Sequence, residues 1–196
     1  AARHRDWPEA PQYEFLADRL WPEHAYARNA VFPEGEQGNA VLSRYPIVSM
    51  ENRDVSLPGH EPRGLLHCRL ALPGREPPLH VVCVHFGLLE AHRRHQARLL
   101  VALLEELPAD APVLVAGDFN DWRGHGHRAL RGAGLEEAFE RTAGRIARTF
   151  PAALPVLRVD RIYVRGAGIL DARVLHGAPW TRLSDHLPLL ATLALP

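Results

Sequence analysis

Pro112 opens the run Val113-Leu114-Val115-Ala116, which has no polar break and passes straight into Gly117-Asp118-Phe119-Asn120. Alternating polar and apolar residues mark a half-buried strand, whereas an unbroken apolar run of this length marks a strand buried on both faces. The side chains of Asp118 and Asn120 therefore emerge where such a strand ends, held against a rigid scaffold.

Around this strand the chain reads as strand-dominated. Asn39 to Arg44 is short and partly β-branched, stopped by Tyr45-Pro46. Leu65 to Ala71 and Leu79 to Phe86 are joined through Pro73-Gly74 and Pro77-Pro78, a turn-rich connection that suggests an antiparallel pair. Val159 to Val164, Ile169 to Leu175 and Leu187 to Leu193 complete the strands. One secure helix runs from Glu90 to Leu107, with Leu99, Leu100, Leu103, Leu104 and Leu107 opposite Arg93, Arg94, Arg98, Glu105 and Glu106. A short helix is predicted from Pro11 to Leu20. With 196 residues, 46% of them hydrophobic, and no repeats or linker, the chain is expected to form a single domain, 1–196.

Lys plus Arg and Asp plus Glu number 23 each, so no global positive field holds nucleic acid by counterion release. Cys68 and Cys83 lie within strand runs, where free thiols behave as small apolar groups. No uncharged apolar stretch approaches the ~18 residues of a membrane span, and no leader is visible, so a soluble, cytoplasmic location is the expectation.

Polar groups cluster at three strand boundaries: Asp118 with Asn120, Asp160 within Val159-Asp160-Arg161-Ile162, and Ser184-Asp185-His186 before Leu187-Pro188. Mg²⁺ and similar hard cations take carboxylate oxygens together with water and substrate phosphate, and Asp118, Asn120 and Asp185 are of that ligand type. His85 and His186 add groups that titrate near neutral pH. Together these point to metal-assisted hydrolysis. An ordinary turn, with side chains bonded to local backbone, reads equally well for Asp118-Phe119-Asn120 or Ser184-Asp185 taken alone. Three consecutive residues do not align as nucleophile, base and orienting acid, and no Gly-x-Ser-x-Gly elbow occurs, which sets a serine hydrolase aside. The pairs His92/His95 and His125/His127 lack companions at zinc spacing and read as solvated surface histidines.

Taken in order, Gly38 to Arg44, Val84-His85-Phe86-Gly87-Leu88, Gly117 to Asn120, Val159 to Val164 and Ser184 to Pro188 resemble the endonuclease/exonuclease/phosphatase family, closest to a bacterial branch of it. Asn52 to Ser56 and Ala147-Arg148-Thr149-Phe150-Pro151 extend the resemblance over nearly the whole chain.

The resemblance implies an α/β fold of two packed, mainly antiparallel sheets flanked by helices, a four-layer sandwich with the site at one end of the sheets. It implies a Mg²⁺- or Mn²⁺-dependent phosphoester hydrolase, acting by in-line attack of water on a nucleic acid, phospholipid or small phosphoester substrate. By position, Asp118 orients or deprotonates the water, Asn120 positions it, Asp185 is the metal-associated carboxylate, and His186, held by Asp160, stabilises the transition state. His85 is a second phosphate-contacting or proton-donating position, Arg63 adds positive charge, and Asn39 lies near the cleft floor. Phe119 belongs to the core. The family's Leu-Gln-Glu segment, whose glutamate is the principal metal ligand, does not occur here, so the expected domain lacks an amino-terminal strand-helix-strand segment. A non-catalytic binding module that has lost its metal site is the alternative.

Overall fold

The computed structural model describes residues 14, 16, 17, 20–33 and 35–195. The predicted helix over Pro11 to Leu20 lies largely outside them; Glu14, Leu16 and Ala17 are helical.

The centre is a six-stranded sheet built from β3 (Ile47–Asp54), β4 (Gly64–Leu70), β5 (Leu79–His85), β6 (Val113–Asp118), β7 (Glu136–Glu137) and β8 (Asp160–Arg165). The spatial order is β3-β4-β5-β6-β8-β7, antiparallel throughout except for the parallel pair β5–β6. The parallel pair needs a crossover, and α1 (Glu90–Glu106) supplies it. The expected antiparallel pairing of the two runs flanking Pro73-Gly74 is β4 with β5, with Leu66 opposite Cys83.

One face of the sheet packs on α1. Leu100, Leu103 and Leu104 are buried there against Leu65, Val82, Val84, Val113, Val115 and Tyr163. Each such leucine contributes on the order of 2 kcal/mol from burial. The polar side of α1 departs from expectation at two residues. Arg93 is buried, its guanidinium 4.4 Å above the Trp122 ring, and His92 is buried edge-on to His60. Neither is the solvated group that helical spacing predicts, because His60 in the loop between β3 and β4 and Trp122 in the loop after β6 pack over the start of the helix.

The other face carries two separate hairpins. β1 (Glu23–Phe32) pairs with β2 (Gly35–Ser43) and places Ala25, Ala27 and Val41 on Leu66, Cys68 and Leu70. β9 (Gly168–Val174) pairs with β10 (Leu189–Ala194) and, with α3 (Ala138–Ala143), packs on Ile162. Among the described residues no strand joins the hairpins. The central run therefore has one fully covered face: Val113 and Val115 are buried, while Leu114 and Ala116 are half-exposed in the strip between the hairpins. Two further helices among the described residues are α2 (His125–Gly132) and α4 (Trp180–Leu183). No helix among the described residues is long and apolar enough to cross a membrane.

Candidate active site

Register alone builds a row of functional groups. In the parallel pair β5–β6, His85 lies opposite Asp118, and in the antiparallel pair β6–β8, Asp118 lies opposite Asp160. Three residues from distant parts of the chain thus occupy one end of three adjacent strands. Arg63 joins the row immediately before β4. Gly117 makes the row possible: at φ 141° a Cβ would collide with the Val84 carbonyl across the pair.

His186 reaches the row from the segment between α4 and β10. Its Nδ1 donates a 2.7 Å hydrogen bond to Oδ2 of Asp160. That bond is the main reason its pKa is raised above the ordinary histidine value, with Asp118 and Asp185 adding attraction for the proton. His85 is opposite in character. Arg63 donates to its Nδ1 at 3.1 Å, which leaves the proton of a neutral imidazole on Nε2, 3.6 Å from Oδ2 of Asp118. Burial, then the Arg63 charge, pushes the His85 pKa down to about 4, so its approach to Asp118 is a contact of a neutral ring and not an ion pair. Asp118 is pushed up to about 6, first by burial and then by Asp160.

Asn120 has φ 48°, a left-handed conformation that asparagine tolerates better than most residues. Its Nδ2 donates to the Phe86 carbonyl, and its backbone N–H donates to Asp118 Oδ1 at 2.7 Å. The Asx turn that competes with a functional reading is therefore present, and it holds Asp118 in the row. Arg63, His85, Asp118, Asn120 and His186 line one cleft of about 440 Å³. Asn39 is buried beneath it, donating to the carbonyls of Gly64 and Cys83. Asp185 is exposed, its carboxylate next to the Ser184 hydroxyl.

Asp118, Asp160 and His186 offer ligand atoms within 4.8 Å of one another. Two carboxylate oxygens suit a hard divalent cation that completes its shell with water and substrate oxygens. The ring nitrogen of His186 that faces Asp160 is already committed, so the oxygens are the ligands that fit; Asp185 stands outside this group.

Sequence reasoning missed the support beneath the row. Arg161 and Asp121 form a buried ion pair at 3.0 Å, with 1% and 2% of their side chains exposed. Arg161 Nη2 also donates to the Asp121 carbonyl, and Asp121 accepts from the backbone N–H groups of His125 and His127, capping α2. The sequence signal was the aspartate just past the strand end, four residues before His125. Apolar groups on the cleft wall come from the end of β1, Phe32, and from three loops, Leu88, Trp122 and Phe150, whose side chains no periodicity assigns. His125 and His127, expected on the surface, are half-buried; His125 contacts Glu90 and His127 contacts Tyr163 and Glu140.

Residues 4–186 match the model of the endonuclease/exonuclease/phosphatase family. The chain is 54% identical over 191 residues to the YbhP protein of Escherichia coli K12, an alignment covering 97% of this chain and 76% of that protein. Its fold is similar to an endonuclease/exonuclease/phosphatase structure from Bacteroides vulgatus, with TM-score 0.76 and 21% identity, covering 94% of this chain and 81% of the other. A structure from Beutenbergia cavernae matches with TM-score 0.73 and 20% identity; this chain is covered to 93% and spans 56% of that longer chain.

Proposed function

Because the chain belongs to the endonuclease/exonuclease/phosphatase family, we propose that its cleft performs divalent-metal-dependent hydrolysis of a phosphodiester, of nucleic acid or phospholipid, by in-line attack of water. The observation that carries this reading is the row His85–Asp118–Asp160 across three strand ends, with His186 hydrogen-bonded to Asp160.

Each side chain then has a distinct task. Asp118, with its affinity for a proton raised to about 6, orients the attacking water and accepts its proton. Asn120 keeps Oδ1 for that water while its Nδ2 is tied to Phe86. His186, kept protonated by Asp160, places positive charge against the phosphoryl oxygens as negative charge develops on them. Neutral His85 donates from Nε2, and the Arg63 guanidinium behind it adds a fixed positive charge that burial strengthens. Mg²⁺ or Mn²⁺ would be held by carboxylate oxygens of Asp118 and Asp160, and would supply Lewis-acid neutralisation of the phosphate.

The family's metal-ligating glutamate segment does not occur in this sequence, so the reading extends to a longer chain in which such a segment adds a carboxylate to the row. The test is hydrolysis of bis(p-nitrophenyl) phosphate with Mg²⁺ or Mn²⁺, with and without chelator, by this chain and by one continued upstream. Chelator-sensitive turnover in the longer chain, and weak turnover in this one, is expected. Inactivity of both on phosphodiester, nucleic acid and phospholipid substrates would favour a binding module instead.

A further inference from the structure

A second cavity, of about 370 Å³, lies behind one wall of the cleft. The wall is the loop over 148–158, closed by the bridge between Phe150 and Leu157, and those two residues face the cleft. The residues flanking the bridge, Arg148, Pro155 and Arg158, line the second cavity, together with Arg145 and His176 above an apolar floor that includes Phe139. The wall is tied to the catalytic segment directly: Leu187 N–H donates to the Thr149 carbonyl at 2.9 Å, and Ala152 N–H to the Asp185 carbonyl at 2.7 Å.

The charge in this cavity is unbalanced. No carboxylate lines it, and among the described residues the guanidinium groups of Arg145, Arg148 and Arg158 form no ion pair. Three other arginines are paired by contrast: Arg53 with Glu51 and Glu106, Arg131 with Glu140, and Arg161 with Asp121. Planar guanidinium groups match phosphate oxygens in geometry as well as charge, and several converging on one concave site are the usual construction for holding that anion. Ala147-Arg148-Thr149-Phe150-Pro151, which has no part in the row at the strand ends, thereby gains a role: it offers Phe150 to the cleft and Arg148 to the cavity behind.

We infer that the Arg145–Arg148–Arg158 cavity is a second phosphate-binding site, taking a further phosphate group of the same substrate whose scissile phosphate occupies the cleft. The inference rests on the phosphoesterase reading of the cleft and narrows its substrate to molecules with more than one phosphate. A group held on the far side of the wall fixes which way the substrate lies across His186, so its binding energy contributes to orientation at the reacting centre.

The test is calorimetric titration of this chain with inorganic phosphate and with α,ω-alkanediyl bisphosphates of increasing length. The comparison variants are the combined Arg145→Gln, Arg148→Gln, Arg158→Gln protein and His186→Ala. The expected result is that inorganic phosphate loses one site in the arginine variant and the other in His186→Ala. One bisphosphate length should bind the unaltered chain about tenfold or more tightly than phosphate, through linkage of the two sites, and lose that advantage in both variants. Phosphate binding unchanged in the arginine variant would overturn the inference. So would two independent phosphate sites that no bisphosphate bridges. A single site, lost only in the arginine variant, would instead remove the phosphoesterase reading of the cleft, and with it the shared substrate. Should the combined variant melt differently from the unaltered chain, Arg148→Gln and Arg158→Gln are read singly; full phosphate binding in both would overturn the inference equally.

Discussion

Oδ2 of Asp160 lies 2.7 Å from Nδ1 of His186, across 26 residues of sequence, and this bond fixes both the orientation of the ring and its proton. Asp160→Asn keeps the shape and removes the charge that favours protonated His186. In a chain active on a phosphodiester it should lower kcat by about a hundredfold and change KM little, because the lost interaction matters most as charge develops in the transition state. Equal losses in kcat and substrate binding would make Asp160 a substrate contact, and unchanged turnover would remove it from the mechanism.

The buried pair of Arg161 and Asp121 supports the row without touching the cleft's chemistry. Asp121→Ala strands an uncompensated guanidinium and uncaps α2, so urea denaturation should show a loss of about 3–5 kcal/mol. A loss under about 1 kcal/mol, the range of exposed pairs, would contradict the burial that the structure assigns to it.

Gly117→Ala sets a methyl against the Val84 carbonyl at a backbone conformation that alanine avoids. A destabilisation of about 3 kcal/mol or more is expected, measured by thermal or chemical unfolding. An unaffected melting transition would show that the β5–β6 pair tolerates separation at this point, and that the alignment of His85 with Asp118 does not depend on it.

Acid should weaken the fold through a site far from the cleft. His67 and His80 share a 2.9 Å hydrogen bond in the sheet, with Glu51, Arg53, Arg69, Glu106 and Arg165 around them. Burial lowers both pKa values, that of His80 to about 4 from an ordinary 6.5. Between these values the unfolded chain binds more protons than the folded one, so the pair's contribution is complete above 6.5 and is lost as pH falls toward 4. Urea midpoints at about pH 7 and about pH 5 should fall more steeply in the unaltered chain than in His67→Leu/His80→Leu. Identical slopes would rule the pair out as a source of acid sensitivity.

Local patterning made α1 and most of the sheet legible, because Leu100, Leu103 and Leu104 repeat at helical spacing and β5, β6 and β8 are rich in valine and isoleucine. β1 is hard to read from the sequence because its inward residues, Ala25, Ala27 and Ala30, are small and not β-branched, and Ala25 and Ala27 are buried by the hairpin's close approach to Leu66 and Cys68. β3 escaped because it is an exposed edge, with Val48, Met50 and Glu51 all facing solvent. In the site, the residues at strand ends were visible as polar breaks after apolar runs. The Arg63–His85 bond was not, nor the neutral state that burial and then the Arg63 charge impose on the ring, since both depend on the pairing of β4 with β5. Trp122 and Phe150 were hidden for a related reason: a loop side chain's direction is set by tertiary packing and leaves no period in the sequence.

The central claim is that the cleft between His85 and His186 breaks phosphoester bonds, and steady-state hydrolysis of a chromogenic phosphodiester tests it most directly. It is measured with and without chelator in a chain continued upstream, unaltered or carrying His186→Ala or Asp118→Asn. Chelator-sensitive turnover that falls by about a hundredfold or more in each variant, with the folded state preserved by circular dichroism, is the predicted result; turnover that neither substitution reduces would contradict it.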